Sequence, residues 1–567
     1  MSEQDPQSWA PWISDAREIR YLARDNSALN QLGAPDANDQ VPLQWAYDHS
    51  SDFSSRPGGG EQITEDSPVL PPWMLSSEQH GFIQKELVGT VVRNHPNWFY
   101  FGYESGNDDE KEFDAKQPLL NYGPWPQADG PVLSTQNVAG IIRNDDGSFQ
   151  MSISSRFSGS KDDSPVHLGQ DRFFNYMMER VMHFNLLSLD FSADPKSSWS
   201  QLIRMLFPSL LQKAVQKGMY RQYVRRYHND PHPRGRIDVA RHIRTNTPFM
   251  GSVSYSTREF DADNPVTELI RHTIEFLDDQ DARARSLLQR DDQTRKCVEQ
   301  IRQATLHYEE NERRKVISTN IRRPVLHPFY QDYRELQRLC LDILAERGVE
   351  YAATDRYQLN GVLFDCSWLW ESYLNVILEE YALQQENITM QHPDNKGRKH
   401  AYPVFKEVQE DEEEEEWKNL YTLFPDFLFD YRTMAEDEEQ DHIIVADAKY
   451  KPADGIGRDD RFQLLAYMLR FESNLALDLS PQRRENADAP AYELKQYAVA
   501  RGCDLIPKER TPQKLNQHVA RIRLNVSDVG IDSYEEYCEV MKKRECEFLT
   551  RIAGIMGSSA GNETTRR

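Results

Sequence analysis

Three stretches in the last third of the chain limit its fold more than any other feature: LFPDFLFDY (423–431), DHIIVADAKYK (441–451) and DRFQLLAYMLRF (460–471). They read as strand, strand and helix. Asp447 and Lys449 are two residues apart, so in a strand their side chains leave the same face. Asp426 opens the neighbouring run, and pairing of the two strands would bring its carboxylate alongside Asp447. Ile443, Ile444 and Val445 fill a buried β run before the charges appear. An unpaired buried carboxylate costs several kcal/mol, so acids at the end of such a strand need partners or a metal. Two converging carboxylates suit Mg²⁺, with Mn²⁺ as a substitute, because hard cations take oxygen ligands. A lysine beside them can position or activate water and offset charge building on a phosphate. The three residues alone leave a second reading open: an Asp–Lys ion pair at a strand end, with Asp426 capping a turn after Pro425.

The surroundings add to the pattern. Gln463 and Tyr467 lie four apart, on one face of the expected helix, while Leu464, Leu465, Met468 and Leu469 supply an apolar face to pack on the sheet. Upstream, DCSWLWESYLNVILEEYAL (365–383) has helical patterning in which Glu371 interrupts an aromatic and aliphatic face. The order is helix with Glu, strand, strand with Pro-Asp, strand with Asp-x-Lys, helix with Gln-x-x-x-Tyr, then further strands. This order resembles the PD-(D/E)xK nuclease core. A second feature lies far from the first: residues 201–258 carry eleven Lys and Arg against two acids, Asp230 and Asp238, in a chain of net charge −24. The R-G-R-I-D segment there, the helix start N-P-V-T-E-L-I-R-H-T, the stretch AGIIRNDDGSFQMSISSRF and the helix FFNYMMERV resemble the McrC family, the nuclease subunit of McrBC-type, modification-dependent restriction systems. The resemblance runs from about residue 137 to about residue 553.

That resemblance implies an endonuclease that hydrolyses DNA phosphodiesters with Mg²⁺. Its metal-binding acids fall on Asp426 and Asp447 and its lysine on Lys449. The upstream helix acid falls on Glu371, as a further metal ligand, and the glutamine on Gln463. It also implies a partner, an McrB-like AAA+ GTPase or ATPase ring, and modified double-stranded DNA as substrate. Cutting both strands needs two active sites, so a homodimer through the nuclease domain is expected. Arg225, Arg226, Arg234, Arg236, Arg241 and Arg244 are the candidate DNA contacts, since phosphate contacts dominate affinity. The alternative for Arg234, Arg236, Arg241 and Arg244 is pairing with acids of neighbouring helices in a domain interface.

Composition sets the outer limits. At 567 residues the chain is too long for one core and should form three or four domains. No apolar run approaches the ~20 residues that span a bilayer, and the acidic start MSEQDPQSWAPW lacks the basic and apolar parts of a signal peptide. Six cysteines without a C-x-x-C pair read as reduced thiols. A cytoplasmic protein without a membrane partner is expected.

The expected fold class is multidomain α+β: a β-rich N-terminal domain, a helical middle region with a basic β element, and a C-terminal PD-(D/E)xK α/β core. Residues 1–80 are rich in Pro, Gly, Ser and Asp and read as largely irregular, with a short helix at DAREIRYLARD. Residues 81–158 alternate β-prone runs with turns and read as a small β-rich domain that docks a partner. The aromatics at 98–103 read as core packing and not as a base-stacking platform. Residues 159–350 form a mainly helical middle domain containing the basic segment 201–258. Residues 351–555 form the nuclease domain and 556–567 a disordered tail. Seven consecutive acids, 410–416, read as a self-repelling surface loop.

No P-loop, G-x-S-x-G elbow, H-E-x-x-H or Rossmann glycine pattern supports another enzyme class. Two rival functions remain. One is a non-catalytic bridge and activator of the ring, which intact Asp426, Asp447 and Lys449 oppose. The other is a stand-alone DNA repair or processing nuclease, which would cut with Mg²⁺ without a partner. The modification sensed, the cut position and the partner's nucleotide are not encoded in any motif.

Overall fold

The structure, a computed structural model, describes most of residues 95–102, 119–157, 168–187, 195–345, 359–391, 402–407, 418–451, 457–498 and 517–564, together with five short strands before residue 77. The acidic run 410–416 lies outside the described residues. The chain is of mixed α/β class and forms two compact units: residues 1–188 with 360–567, and residues 189–359.

The first unit begins with β1 (Trp12–Ser14), β2 (Trp98–Phe101), β3 (Val138–Arg143), β4 (Gln150–Ser154) and helix α1 (Arg172–Met182). Asp171 caps α1 by accepting from the Phe174 N–H at 3.0 Å and also takes the Ser155 N–H at 2.8 Å. Burial pushes its carboxyl up to about 6 despite those donors.

The second unit holds α2 (Pro195–Gln216), a three-stranded sheet, and a run of helices. Its strands are β5 (Gln222–Asp230), β6 (Arg236–Ile237) and β7 (Val253–Asp261), with the short helix α3 (Val239–Thr245) between the last two. β5 and β7 pair antiparallel over nine residues, from Gln222–Asp261 to Asp230–Val253. Helix α4 (Pro265–Gln280) starts as the sequence signals: the Asn264 side chain accepts from the Val266 N–H at 3.0 Å, with Pro265 in the first turn.

The chain then returns to the first unit with β8 (Gly361–Asp365), α8 (Cys366–Ala382), β9 (Ile388–Gln391), β10 (Phe427–Ala435), β11 (Glu438–Ala448), α9 (Arg458–Arg470), β12 (Leu475–Gln482), β13 (Tyr492–Ala498), β14 (His518–Asn525) and α10 (Tyr534–Thr564). Helices α5 to α7 are the second unit's Asp292–Ala304, Arg313–Arg322 and Gln331–Ala345. β9, β10 and β11 form an antiparallel meander. β11 then crosses over through α9 to β12, which lies parallel to it, and β14 and β13 complete a sheet of order β9-β10-β11-β12-β14-β13.

Period-2 alternation sorts the two faces of this sheet. Leu428, Val445 and Ala476 pack under Leu464, Tyr467 and Met468 of α9. On the other face lie Phe427, Phe429, Tyr431, Ile444 and Ala446. There Gly557 of α10 comes so close to the Tyr431 hydroxyl that a Cβ at this position would sit 3.0 Å from it. Helix α8 joins that second layer, since Tyr373 donates to Glu545 of α10 at 2.6 Å.

Several boundaries differ from the expected ones. β8, which lies within the residues assigned to the nuclease domain, pairs with both β2 and β3 and completes the N-terminal sheet, of order β1-β4-β3-β8-β2. Such pairing, across some 260 residues, leaves no local signal. Segment 159–188, assigned to the middle domain, belongs to the first unit. Within 1–80, five short aromatic or β-branched runs pair as strands, and the expected helix is instead the strand Glu18–Tyr21, laid between Trp45–Tyr47 and Pro131–Thr135. The expected tail is helical, because α10 runs through Thr564 with no proline to stop it and buries Met556. Trp98 and Phe99 are core residues, and Phe101 stacks on Phe364 of β8.

Candidate active site

The β10–β11 ladder ends at the pair Phe427–Ala446, and one step further along the same register Asp426 stands opposite Asp447. The two carboxyls share the α9 face, and Asp426 is near enough to raise Asp447. Asp426 Oδ2 also accepts from the Ala448 N–H at 2.8 Å, which fixes its side chain across the end of the ladder. Both acids are buried, Asp447 at 2% exposure.

Lys449 leaves the same face as Asp447. Its Nζ lies 2.6 Å from Asp447 Oδ2, donates to Gln463 Oε1 at 2.7 Å and stands 3.5 Å from Asp460 Oδ1. The approach to Asp447 Oδ2 lacks hydrogen-bond alignment, so that buried oxygen has an electrostatic neighbour but no directed partner. Burial pushes Asp447 well above the usual carboxylate range; Lys449 opposes this and Asp426 adds to it. Burial alone would lower Lys449, but Asp447, Asp426 and Asp460 outweigh it and hold the amine above its ordinary value. Lys449 is therefore an ammonium at neutral pH.

The helix pattern Gln-x-x-x-Tyr has a structural explanation. Gln463 Nε2 donates to the Tyr467 hydroxyl at 2.9 Å, and that hydroxyl donates to the Phe424 carbonyl at 2.9 Å. Lys449 is thus tied through two side chains of α9 to the backbone two residues before Asp426.

Glu371 sits on a separate element from the acid pair. It is buried in α8, whose layer lies across the sheet from α9, and among the described residues no set of three or more His, Cys, Asp or Glu side chains converges to hold a metal. Two carboxylates, one with an oxygen free of directed partners, still fit a hard cation that keeps waters and phosphate oxygens in its remaining positions.

Sequence reasoning missed Asp460 and Asp478. Asp460 caps α9 by accepting from the Gly457 N–H at 2.8 Å and takes Lys451 on both oxygens at 2.9 Å. Asp478 is the in-register neighbour of Asp447 on β12 and is held by Arg521 Nε at 2.9 Å. A single acid inside the apolar run LALDLSPQ was the available signal.

The arginines of the second unit take different roles. Arg225, Arg234, Arg236 and Arg244 are exposed. Arg241 lies over the Tyr227 ring at 5.4 Å. Arg226 faces the other side of β5 and is committed to Asp261 at 2.9 Å and Asp263 at 3.2 Å. Rings interleave with these charges: Tyr223 meets Phe260 across the strands at 5.2 Å, and Arg258 covers Tyr223 at 4.7 Å. Tyr223, Tyr227, Phe249, Met250 and Phe260 are each more than half exposed.

Comparison with known proteins adds the family. A model of the McrBC 5-methylcytosine restriction system component family matches residues 133–478, about three-fifths of the chain. The chain belongs to this family. The matched region contains Glu371, Asp426, Asp447, Lys449 and Gln463 and leaves out residues 1–132. Among solved structures, the chain is similar to one from Thermococcus gammatolerans, a refined half-complex from a tetradecameric assembly of McrB AAA+ hexamers with bound McrC. Identity is 14%, the TM-score 0.31, and the alignment covers 78% of this chain and 90% of that one. A cryo-EM structure of the Thermococcus gammatolerans McrBC complex aligns at 14% identity and TM-score 0.21, over 49% of this chain and 76% of that one. These superpositions are too loose to assign any residue, so the site rests on its own geometry. No curated protein matches the chain. Among the described residues, no helix is long and apolar enough to cross a membrane.

Proposed function

We propose that this McrBC component is the Mg²⁺-dependent endonuclease of its system, built on a PD-(D/E)xK core formed by α8, β9–β11, α9 and β12. The observation that carries the reading is the meeting of Asp426 and Asp447 beside a lysine anchored by Gln463. Mg²⁺, or Mn²⁺ in its place, would be held by Asp426 and Asp447 and would supply Lewis-acid activation of the phosphodiester and of the attacking water. Lys449 contributes a positive charge that steadies the charge building on the phosphate and positions or activates the attacking water. Gln463 and Tyr467 keep the ammonium aimed at the same point through substrate arrival, and the buried setting strengthens each of these interactions.

The substrate is double-stranded DNA carrying a modified base, in keeping with the family, and the partner an McrB-like AAA+ ring. Two copies would meet through the nuclease domain to cut both strands. The test is cleavage of 5-methylcytosine DNA by the intact chain, with and without Mg²⁺ and a purified McrB-type ring. Cutting that needs all three supports the reading. Cutting that persists in an Asp447→Ala variant would falsify it. Efficient cutting of unmodified DNA without the ring would favour a stand-alone nuclease.

For the second unit, Arg225, Arg234, Arg236, Arg241 and Arg244 are proposed to contact DNA phosphates. A second reading is favoured by the exposed rings and Met250 among them: this much apolar surface suits a protein partner such as the ring better than a polyanion. Arg225→Ala with Arg236→Ala separates the two. A lower salt slope of DNA binding supports phosphate contact, and lost capture of the ring supports protein docking.

A further inference from the structure

The backbone around Lys449 is held from two directions, and one of them comes from the N-terminal sheet. On one side, the Lys449 N–H donates to the Leu479 carbonyl at 2.9 Å, within the site's own sheet. On the other, β11 has ended, and the carbonyl of the following residue, Tyr450, accepts from Arg156 Nη1 at 3.3 Å. The same guanidinium lies over the Tyr450 ring, 5.1 Å from its centroid. Phe157 meets that ring edge-on at 5.1 Å, so residues 156 and 157, just past β4, grip both the ring and the carbonyl of the residue after the lysine. Tyr450 is 3% exposed, which leaves the ring little room to shift.

The grip is itself anchored. Arg156 Nη2 donates to Asn137 Oδ1; Asn137 Nδ2 donates to Ser367 Oγ at 3.0 Å, and the Asn137 carbonyl takes the Cys366 N–H at 2.8 Å. Phe157 continues an aromatic chain through Phe173 to Trp370, each step 6.1 Å between centroids. Residue 155 is fixed by Asp171 at the start of α1. The corner at 155–157 therefore moves with the first turns of α1 and α8, and whatever displaces it displaces Tyr450.

We infer that Arg156 is a positioning residue for Lys449: by clamping the Tyr450 carbonyl and ring, it sets where the lysine enters the acid pair. The inference rests on the hydrolytic reading of Asp426, Asp447 and Lys449. It extends that site to a residue nearly 300 positions away in sequence. Its lever is geometric, since a misplacement of about 1 Å at a reacting centre can cost ~10²-fold in rate.

The experiment compares intact wild-type chain with Arg156→Ala, Arg156→Lys and Tyr450→Ala. Cleavage of 5-methylcytosine DNA is measured with Mg²⁺ and an McrB-type ring, and amide hydrogen exchange of residues 447–451 in the metal-free chain. Arg156→Ala is expected to lower kcat roughly 10- to 100-fold with KM for DNA unchanged, and to speed exchange at 447–451. Tyr450→Ala is expected to do the same, and the double variant to be no worse than either single one. Arg156→Lys keeps a cation and a donor and recovers part of the rate, which keeps the test usable should the alanine variant fail to fold. Wild-type kcat and exchange in Arg156→Lys and Arg156→Ala overturn the inference. So does a raised KM with kcat unchanged, which would make Arg156 a DNA contact. If instead wild type and Asp447→Ala cut alike, the hydrolytic reading fails, while the exchange data still decide whether Arg156 holds this segment.

Discussion

The acid pair of the first unit and the arginine arm of the second are both concentrations of charge, yet their surroundings differ in kind. Asp426, Asp447, Lys449 and Asp460 are withdrawn from water; Lys449 meets Asp447 and Asp460, and Asp426 is an electrostatic neighbour of both Asp447 and Lys449. On the arm, Arg225, Arg234, Arg236 and Arg244 face solvent beside exposed rings. Buried charge is expensive, so a cluster that is not needed for packing points to chemistry performed on the spot. Exposed charge costs little and marks a surface awaiting a partner. Burial, and not charge count, separates the two.

Four experiments can break or sharpen that contrast. The largest effect belongs to the acid pair: Asp426→Ala or Asp447→Ala should lower Mg²⁺-dependent cleavage on the order of 10³-fold or more in a gel assay, with ring binding intact. A loss under tenfold would move the chemistry elsewhere.

Next comes a buried acid outside the site. Burial holds Asp171 at about 6 in the folded protein, against an ordinary 3.8 in the unfolded chain. The folded state therefore binds the extra proton. The associated stability is present in full below about pH 3.8 and disappears as the pH rises through about 6. Relative to Asp171→Asn, wild type should lose about 3 kcal/mol of unfolding free energy between those pH values, measured by urea titration. A flat difference would show that folding leaves the Asp171 carboxyl at its ordinary value.

Gln463→Ala cuts the tie between Lys449 and Tyr467 without touching either acid. It should lower kcat about tenfold to a hundredfold and leave the thermal midpoint nearly unchanged. On the arm, Tyr223→Ala with Phe260→Ala removes an exposed ring pair. Capture of the McrB-type ring should weaken roughly tenfold in a pull-down titration, with cleavage at saturating ring and stability unaffected. A stability loss there would mean the rings serve the fold.

How much of this was legible depended on the range of each signal. The strand with Asp-x-Lys, the Pro-Asp strand start and the helix with Gln463 and Tyr467 follow from periods of two and 3.6 residues, and the structure assembles them in that order. The role of Tyr467 as a bridge to Phe424 was not legible, because the helix face shows which residues align but not what they reach. β8 joining the N-terminal sheet is a long-range pairing with no local mark. For Glu371 the sequence shows a buried acid on a helix, and helical periodicity does not say which side of the sheet that helix packs on. The same holds for Arg226, one of a run of arginines alike in sequence. Alternation along β5 turned it towards Asp261 and Asp263, away from the exposed face.

The central claim is that Asp426 and Asp447 together hold one divalent cation. Mn²⁺ titration of the intact chain followed by electron paramagnetic resonance tests this directly. The account predicts one bound ion per chain, lost in both Asp426→Asn and Asp447→Asn and retained in Glu371→Gln. Undiminished binding in the two aspartate variants would contradict it.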